Sequence, residues 1–130
     1  MRLIHSGVFD KYPGLKIILG HLGEGLPFWL ERIDFFWLRP WAEAENRPRI
    51  ARKPSDYVKS NFMVTTSGMF FAPALIASYL ALGADRILFA SDHPFEDNQQ
   101  AVKAVEAMPI NDTDKEKIFH LNAESLLKLK

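Results

Sequence analysis

The chain has 130 residues, the size of one ordinary domain, and is 48% hydrophobic and 25% charged, a globular composition with no low-complexity tract. Its 16 basic and 16 acidic residues cancel, which excludes a global electrostatic preference for nucleic acid or an anionic membrane. It has no cysteine, so disulfides, thiolate metal sites and cysteine nucleophiles are excluded, and a reducing compartment fits.

Taken in chain order, residues 2–9 read as a short helix, with Leu3, Ile4, Val8 and Phe9 at helical spacing. Lys11-Tyr12-Pro13-Gly14 is a turn signal. Residues 15–20 read as a strand; Ile17-Ile18-Leu19 is apolar without alternation, which predicts burial on both faces, as in a parallel sheet. Gly23 and Gly25 break the chain, and Pro27 stands in the first turn of a helix over residues 26–38 that is apolar nearly all round. Residues 39–53 read as a loop or short irregular helix, and Lys53 to Val58 opens another helical turn. Residues 61–66 form a second strand, ended by Ser67-Gly68. A helix from Pro73 to Leu82 is closed by Gly83. The third strand is residues 86–90, and helices follow over 96–107, 112–119 and 122–129, with Asn111 or Asp112 capping the middle one. This alternation predicts βαβ units and a parallel sheet. No apolar run reaches the roughly 20 residues a membrane helix needs, and the N-terminal segment lacks the apolar core of a secretory signal. A soluble cytoplasmic protein with no nucleic-acid and no membrane partner is expected.

Two strands end in groups that can bind metal or move protons, at the end where parallel α/β proteins bind ligands. Asp92 follows Phe89-Ala90-Ser91 and precedes His93-Pro94. It is either a metal ligand or proton-transfer group, or the cap of a helix beginning near Pro94. His21 follows Gly20 and precedes Glu24 by three residues, so Glu24 could orient it or share its proton; a lone loop histidine is otherwise structural or exposed. Thr65, Thr66 and Ser67 either hydrogen-bond a substrate or cap the loop. Arg32 either reaches a substrate carboxylate or forms a salt bridge on the helix surface. His93 points away from Asp92 in an extended segment, and His5 and His120 read as structural. The aromatic run 28–41 is hard to bury within one small domain and is expected to be a self-association face, making the protein a homo-oligomer.

Together these motifs resemble a family. Gly20-His21-Leu22-Gly23-Glu24-Gly25-Leu26-Pro27 followed by Arg32-Ile33-Asp34 resembles the metal-dependent amidohydrolase-related decarboxylases, which act on aminocarboxymuconate semialdehyde, γ-resorcylate and 2,3-dihydroxybenzoate. Residues 61–69, with their Thr-Thr-Ser-Gly-Met end, resemble the family's next strand. Gly83 to Glu96 resembles the last barrel strand. Asn122-Ala123-Glu124 with Leu126-Leu127 resembles the closing helix, and Gly7-Val8-Phe9-Asp10 with Tyr12-Pro13 resembles the helix entering the histidine strand. The resemblance covers essentially the whole chain, 1–130.

It implies an α/β fold, namely about the last three β/α units of a (β/α)8 barrel that runs to about 250 residues or more. It also implies a divalent metal, zinc or manganese, held by Asp92 and His21, with His21, Asp92 and Glu24 catalytic and Arg32 and Phe95 contacting the substrate. His93 stands where some relatives place an aromatic residue. The implied reaction is non-oxidative decarboxylation of a small aromatic or unsaturated carboxylic acid. Metal-dependent hydrolysis of lactone or amide-like bonds, or a non-catalytic self-associating fragment, are the alternatives. The family's first-strand acidic-x-His or His-x-His pair and its middle-strand histidine have no counterpart in this sequence, so the chain by itself is expected to be inactive.

Overall fold

A computed structural model describes residues 1–39 and 50–129. The loop or irregular helix expected over residues 39–53 falls largely outside the described residues, as does Trp41 at the end of the aromatic run. The chain divides into two compact units, one made of Met1–Ile17 with Trp29–Phe62, the other of Ile18–Phe28 with Met63–Lys130.

In the first unit the single helix expected over residues 2–9 is two, α1 (Arg2–His5) and α2 (Val8–Lys11). Gly7 between them has φ 75°, a left-handed value that glycine reaches without a Cβ penalty and that breaks the helix. Strand β1 (Ile17–Leu19), of which only Ile17 belongs to this unit, is shorter than the run 15–20 that announces it, and α3 (Leu26–Trp37), which enters this unit at Trp29, begins with Pro27 in its first turn as expected. Helix α4 (Pro54–Asn61) outgrows the single turn expected. Ile4, Phe9, Leu30, Tyr57, Val58 and Phe62 are buried, and Phe9 meets Phe62 edge-on at 5.2 Å. Each such side chain contributes about 1.5–3 kcal/mol of burial.

Two polar contacts organise this unit. The Asn61 amide, almost fully buried, donates to the carbonyls of Pro13 at 3.0 Å and Leu15 at 2.9 Å, which fixes the turn that feeds β1. The buried Asp34 carboxylate of α3 accepts from the Ser55 backbone N–H at 2.9 Å and from the Ser55 hydroxyl, and it pairs with Lys53 Nζ at 3.3 Å. It therefore caps α4, whose own N-cap residue, Lys53, has no side-chain oxygen to offer.

In the second unit β2 (Phe62–Thr65) lies between β1 and β3 (Ile87–Leu88), parallel to β3 with Val64 opposite Ile87 and Thr65 opposite Leu88. Phe62, Met63, Val64, Ile87 and Leu88 are all buried, as unalternated strands of a parallel sheet should be. β1 departs from that expectation: Ile18 is 48% exposed, because β1 is an edge strand. Helix α5 (Ala72–Leu82) closes on Gly83, whose φ of 85° confirms the glycine stop. α6 (Asn98–Glu106) starts later than expected, capped by Asp97, which accepts from Gln100 N–H at 2.8 Å. α7 (Asp112–Glu116), capped by Asn111, a wide turn over Lys117–Leu121, and α8 (Asn122–Leu127) run on without a break where two helices were expected. Leu22, Val64, Leu75, Ile87, Val105, Met108 and Ile118 form the core beneath the strand ends. Among the described residues no helix is long and apolar enough to cross a membrane.

Candidate metal and catalytic site

The site residues His21, Ser67, Gly68 and Asp92 all belong to the second unit. Past β1 the chain enters a tight turn over His21–Gly23 in which His21, Leu22 and Gly23 have φ of 51°, 53° and 74°, followed by Glu24 at 53° and Gly25 at 82°. Each non-glycine residue in this region costs about 1–2 kcal/mol. Such conformations persist where the surroundings over-determine them. Here Leu22, 2% exposed, is locked into the core with Val64, Leu75 and Ile87. A Cβ on Gly23 would stand 3.1 Å from Val64 Cγ1, so the turn is pressed directly onto β2.

The ends of β2 and β3 are tied by Thr66, whose hydroxyl donates to the Ala90 carbonyl at 2.8 Å and accepts from the Ala90 N–H at 3.0 Å. That is the loop-capping reading of this residue. Ser67 does something else: its hydroxyl accepts from the His21 backbone N–H at 3.1 Å, and its carbonyl lies 2.8 Å from His21 Nδ1.

Asp92 also sits in left-handed backbone, with φ 75°. Its carbonyl accepts from the N–H groups of Phe95 and Glu96 at 2.9 and 3.3 Å, closing a turn. The helix-cap alternative is overturned: α6 begins at Asn98, and Asp97 caps it. The Asp92 carboxylate has neither hydrogen bond nor ion pair among the described residues. It converges with His21 on one point. A Cβ built on Gly68, where φ is 62°, would lie 3.3 Å from Asp92 Oδ2 and 3.4 Å from His21 Nδ1. The missing methyl of Gly68 thus keeps a cradle open between an unpartnered carboxylate and an imidazole. That donor set suits a borderline divalent cation such as zinc or manganese. It is a partial set, since among the described residues no three histidine or acidic side chains come together to hold a metal. A catalytic centre ordinarily has three protein ligands.

The remaining expected residues are placed differently. Glu24 is exposed, and what reaches His21 is its backbone N–H, which donates to the His21 carbonyl at 3.0 Å. The contact to the His21 ring comes from Ser67 rather than from the Glu24 carboxylate, because the left-handed turn carries Glu24 outward. Arg32 belongs to the first unit, is exposed, and lays its guanidinium over the rings of Phe36 at 4.4 Å and Phe35 at 5.3 Å. The helix-surface salt bridge is not formed among the described residues; cation–π contact takes its place. Phe95 is 85% exposed and His93 is exposed beside Asp92. His5 stacks on Trp37 at 5.9 Å, and His120 faces Glu124 at 2.8 Å on the surface, in keeping with structural parts. Ser67 was expected to hydrogen-bond a substrate or cap the loop and instead contacts His21. Gly68 was passed over as a strand terminator, and the signal was the Ser-Gly pair directly after a buried strand.

Comparison with known proteins places this geometry. The family model described as amidohydrolase matches residues 1–129. The γ-resorcylate decarboxylase of Polaromonas sp. (strain JS666) is 47% identical over 129 residues, covering 99% of this chain and 39% of that protein. The crystal structure of a dihydroxybenzoic acid decarboxylase from Polaromonas sp. JS666, with bound manganese and the inhibitor 2-nitroresorcinol, is 48% identical with a TM-score of 0.89, covering 98% of this chain and 38% of that one. The 5-carboxyvanillate decarboxylase of Sphingomonas paucimobilis is 36% identical with a TM-score of 0.91, covering 99% of this chain and 38% of that one. The chain therefore spans about 39% of the length of the curated relatives it matches. Its architecture is the matched part of their fold, as the resemblance implied.

Proposed function

The chain belongs to the amidohydrolase family, and from that premise we propose that it furnishes Asp92 and His21 to a divalent-metal site for the non-oxidative decarboxylation of a phenolic acid such as γ-resorcylate (2,6-dihydroxybenzoate). The observation that carries this reading is the convergence on Gly68 of the His21 imidazole and the Asp92 carboxylate, which has no hydrogen bond or ion pair among the described residues. The identity to a γ-resorcylate decarboxylase supports the substrate class. The manganese in a 48% identical relative favours that ion, and zinc accepts the same ligand types.

A divalent ion held by Asp92, His21 and further ligands would bind the substrate's oxygen atoms and stabilise their negative charge. The proton movement falls to the chain. Asp92 in its acid form gives a proton to the ring carbon that bears the carboxylate, with the ring electrons forming the new C–H bond. The bond to the carboxylate carbon then breaks, its electron pair returns to the ring, and carbon dioxide departs without oxidation. His21 holds the substrate side of the cradle, and Glu24 supplies a second acidic group on the same turn. The exposed Phe95 ring is assigned to substrate recognition, and Arg32, whose guanidinium lies over Phe36 and Phe35, keeps the part the resemblance implies only as a planar fork suited to carboxylates. The aromatic face of α3 is assigned to self-association: Phe28 and Phe36 are 76% and 50% exposed. A cytoplasmic location belongs to the same proposal, supported by the absence of cysteine from the sequence.

The decisive experiment replaces the matched stretch of the 47% identical Polaromonas decarboxylase with this chain and follows carbon dioxide release from γ-resorcylate in the presence of manganese. The chimera is expected to decarboxylate, with Asp92→Asn reducing kcat at least 100-fold. The isolated 130-residue chain, holding two metal-site groups, is expected to be inactive. A folded, manganese-loaded chimera with no turnover would overturn the reading.

A further inference from the structure

We propose that Ser67 is a positioning residue that sets the tautomer of His21, placing the ring proton on Nδ1 and leaving the Nε2 lone pair free. The inference rests on the decarboxylase reading only for why the tautomer matters; the geometry stands without it. The Ser67 carbonyl lies 2.8 Å from His21 Nδ1. A carbonyl oxygen can only accept, so a hydrogen bond at this distance requires the proton on Nδ1. In the neutral ring the other nitrogen is then bare, which is the form that binds a metal or takes a proton.

The second half of the device is the hydroxyl. Ser67 Oγ accepts from the His21 backbone N–H at 3.1 Å and shares a hydrogen bond with Thr65 Oγ1 at 2.7 Å. One residue therefore grips His21 at both ring and backbone, and Thr65, at the end of β2, braces the grip. This matters because His21 stands in left-handed backbone at φ 51°, where nothing local favours one ring orientation. The turn has no other side-chain partner for His21 among the described residues. The end of β2, through Ser67, engages the nitrogen on the Gly68 side, Nδ1, and leaves Nε2 as the nitrogen with the free lone pair.

The test uses the full metal-free chain and needs no substrate. Long-range proton–nitrogen NMR correlations of the His21 ring, at a pH where it is neutral, should show the proton on Nδ1, the opposite of the tautomer free histidine prefers in water. Ser67→Ala removes the hydroxyl and keeps the carbonyl, so the His21 amide should exchange with solvent about 5–10-fold faster. Ser67→Thr, which restores a hydroxyl, should return the rate to the original. A proton found on Nε2 in the unmodified chain overturns the proposal whether or not any variant folds. Equal exchange rates in the chain and in Ser67→Ala also overturn it. Since neither readout involves turnover, failure here is separable from failure of the decarboxylase reading, which carbon dioxide release decides.

Discussion

A methyl group added at Gly68 would meet Asp92 Oδ2 at 3.3 Å and His21 Nδ1 at 3.4 Å, on backbone at φ 62°. Two penalties combine there. The left-handed conformation costs a Cβ-bearing residue about 1–2 kcal/mol, and the crowded carboxylate and imidazole must yield by a fraction of an ångström. Gly14 provides the contrast, since a Cβ there would meet nothing within 4 Å. Gly68→Ala is expected to lower stability by about 1–2 kcal/mol in urea unfolding, while Gly14→Ala changes it little or raises it slightly by restricting the unfolded chain. In the decarboxylating chimera Gly68→Ala should also cost roughly tenfold or more in kcat, because small displacements of reacting groups are expensive. Wild-type stability and turnover in Gly68→Ala would refute the cradle. At this scale Asp92 and His21 were legible from the sequence, because polar groups ending apolar strands are conspicuous. Ser67 was legible as a polar group at the strand end, for a substrate or for the loop, and not as the partner of His21. Its contact with His21 spans 46 residues and runs partly through a backbone carbonyl, an acceptor every residue carries.

At the scale of elements, side chains from distant parts of the chain decide where helices start and how they respond to pH. Asp34 caps α4 across 21 residues of sequence, and no local capping motif announces it. Asp34→Ala leaves the Ser55 donors and Lys53 without their acceptor, so unfolding free energy should fall by about 1–3 kcal/mol. A loss within experimental error would show that water replaces the carboxylate. Helix α7 carries a second network. The Tyr79 hydroxyl donates to Asp114 Oδ2 at 2.8 Å, and Lys117 Nζ lies 3.3 Å from Asp114 Oδ1 and 3.0 Å from Asp85. The hydrogen bond from Tyr79, then that from Asn111, holds the Asp114 carboxyl below its ordinary value, and the same Tyr79–Asp114 bond holds the Tyr79 phenol above its own. A carboxyl lowered in the folded state stabilises at pH above its unfolded pKa, and that contribution disappears as pH falls through the folded one. A raised phenol stabilises below its unfolded pKa and loses the effect as pH climbs through the folded one. The melting temperature of Asp114→Asn should therefore fall furthest below that of the original chain near neutrality, and the two should approach each other towards both acid and alkali. A constant gap at all pH values would refute the network. The helix boundaries themselves were readable within a residue or two where glycine, proline or Asn111 marked them. They were misread at residues 2–9, where Gly7 enforces a break. They were misread again at residues 117–121, where the Phe89 N–H donates to the Ile118 carbonyl and a wide turn keeps the helical run continuous.

At the scale of the whole molecule, the parallel-sheet class followed from apolar runs alternating with helices, but the sequence pattern could not say how many edges the sheet leaves open. Among the described residues three strands in the order β1-β2-β3 put β1 and β3 at the edges. At β3 the Ile87 carbonyl accepts from the Asn122 amide at 2.8 Å and the Phe89 N–H donates to the Ile118 carbonyl at 2.8 Å, so that edge is covered and β1 is the more open one. Edge strands of this kind are sites of association unless they are short, charged or covered. β1 is short, yet it presents Ile18 at 48% exposure rather than a charge. Large apolar side chains are exposed elsewhere as well: Phe28, Phe71, Leu80 and Phe95 are 76%, 69%, 75% and 85% accessible. Polar surroundings disperse single exposed side chains harmlessly, but the β1 edge combined with exposed aromatics favours a partner surface. Burying one such ring contributes about 1.5–3 kcal/mol, enough to draw copies together at micromolar concentrations once several are covered. Association that occurs only in the folded state raises the melting temperature with concentration. Light scattering coupled to size exclusion should therefore show the isolated chain larger than its monomer mass of 14.9 kDa, with a melting temperature that climbs as protein concentration rises tenfold. Phe36→Glu, which places a charge on the aromatic face of α3, tests whether that face or the strand edges carry the effect. If α3 carries it, Phe36→Glu returns the chain to monomer; if the edges carry it, association survives the change. A monomer whose melting temperature is independent of concentration would show that the exposed rings and edges are tolerated in water, and the self-association assigned to α3 would fall with it.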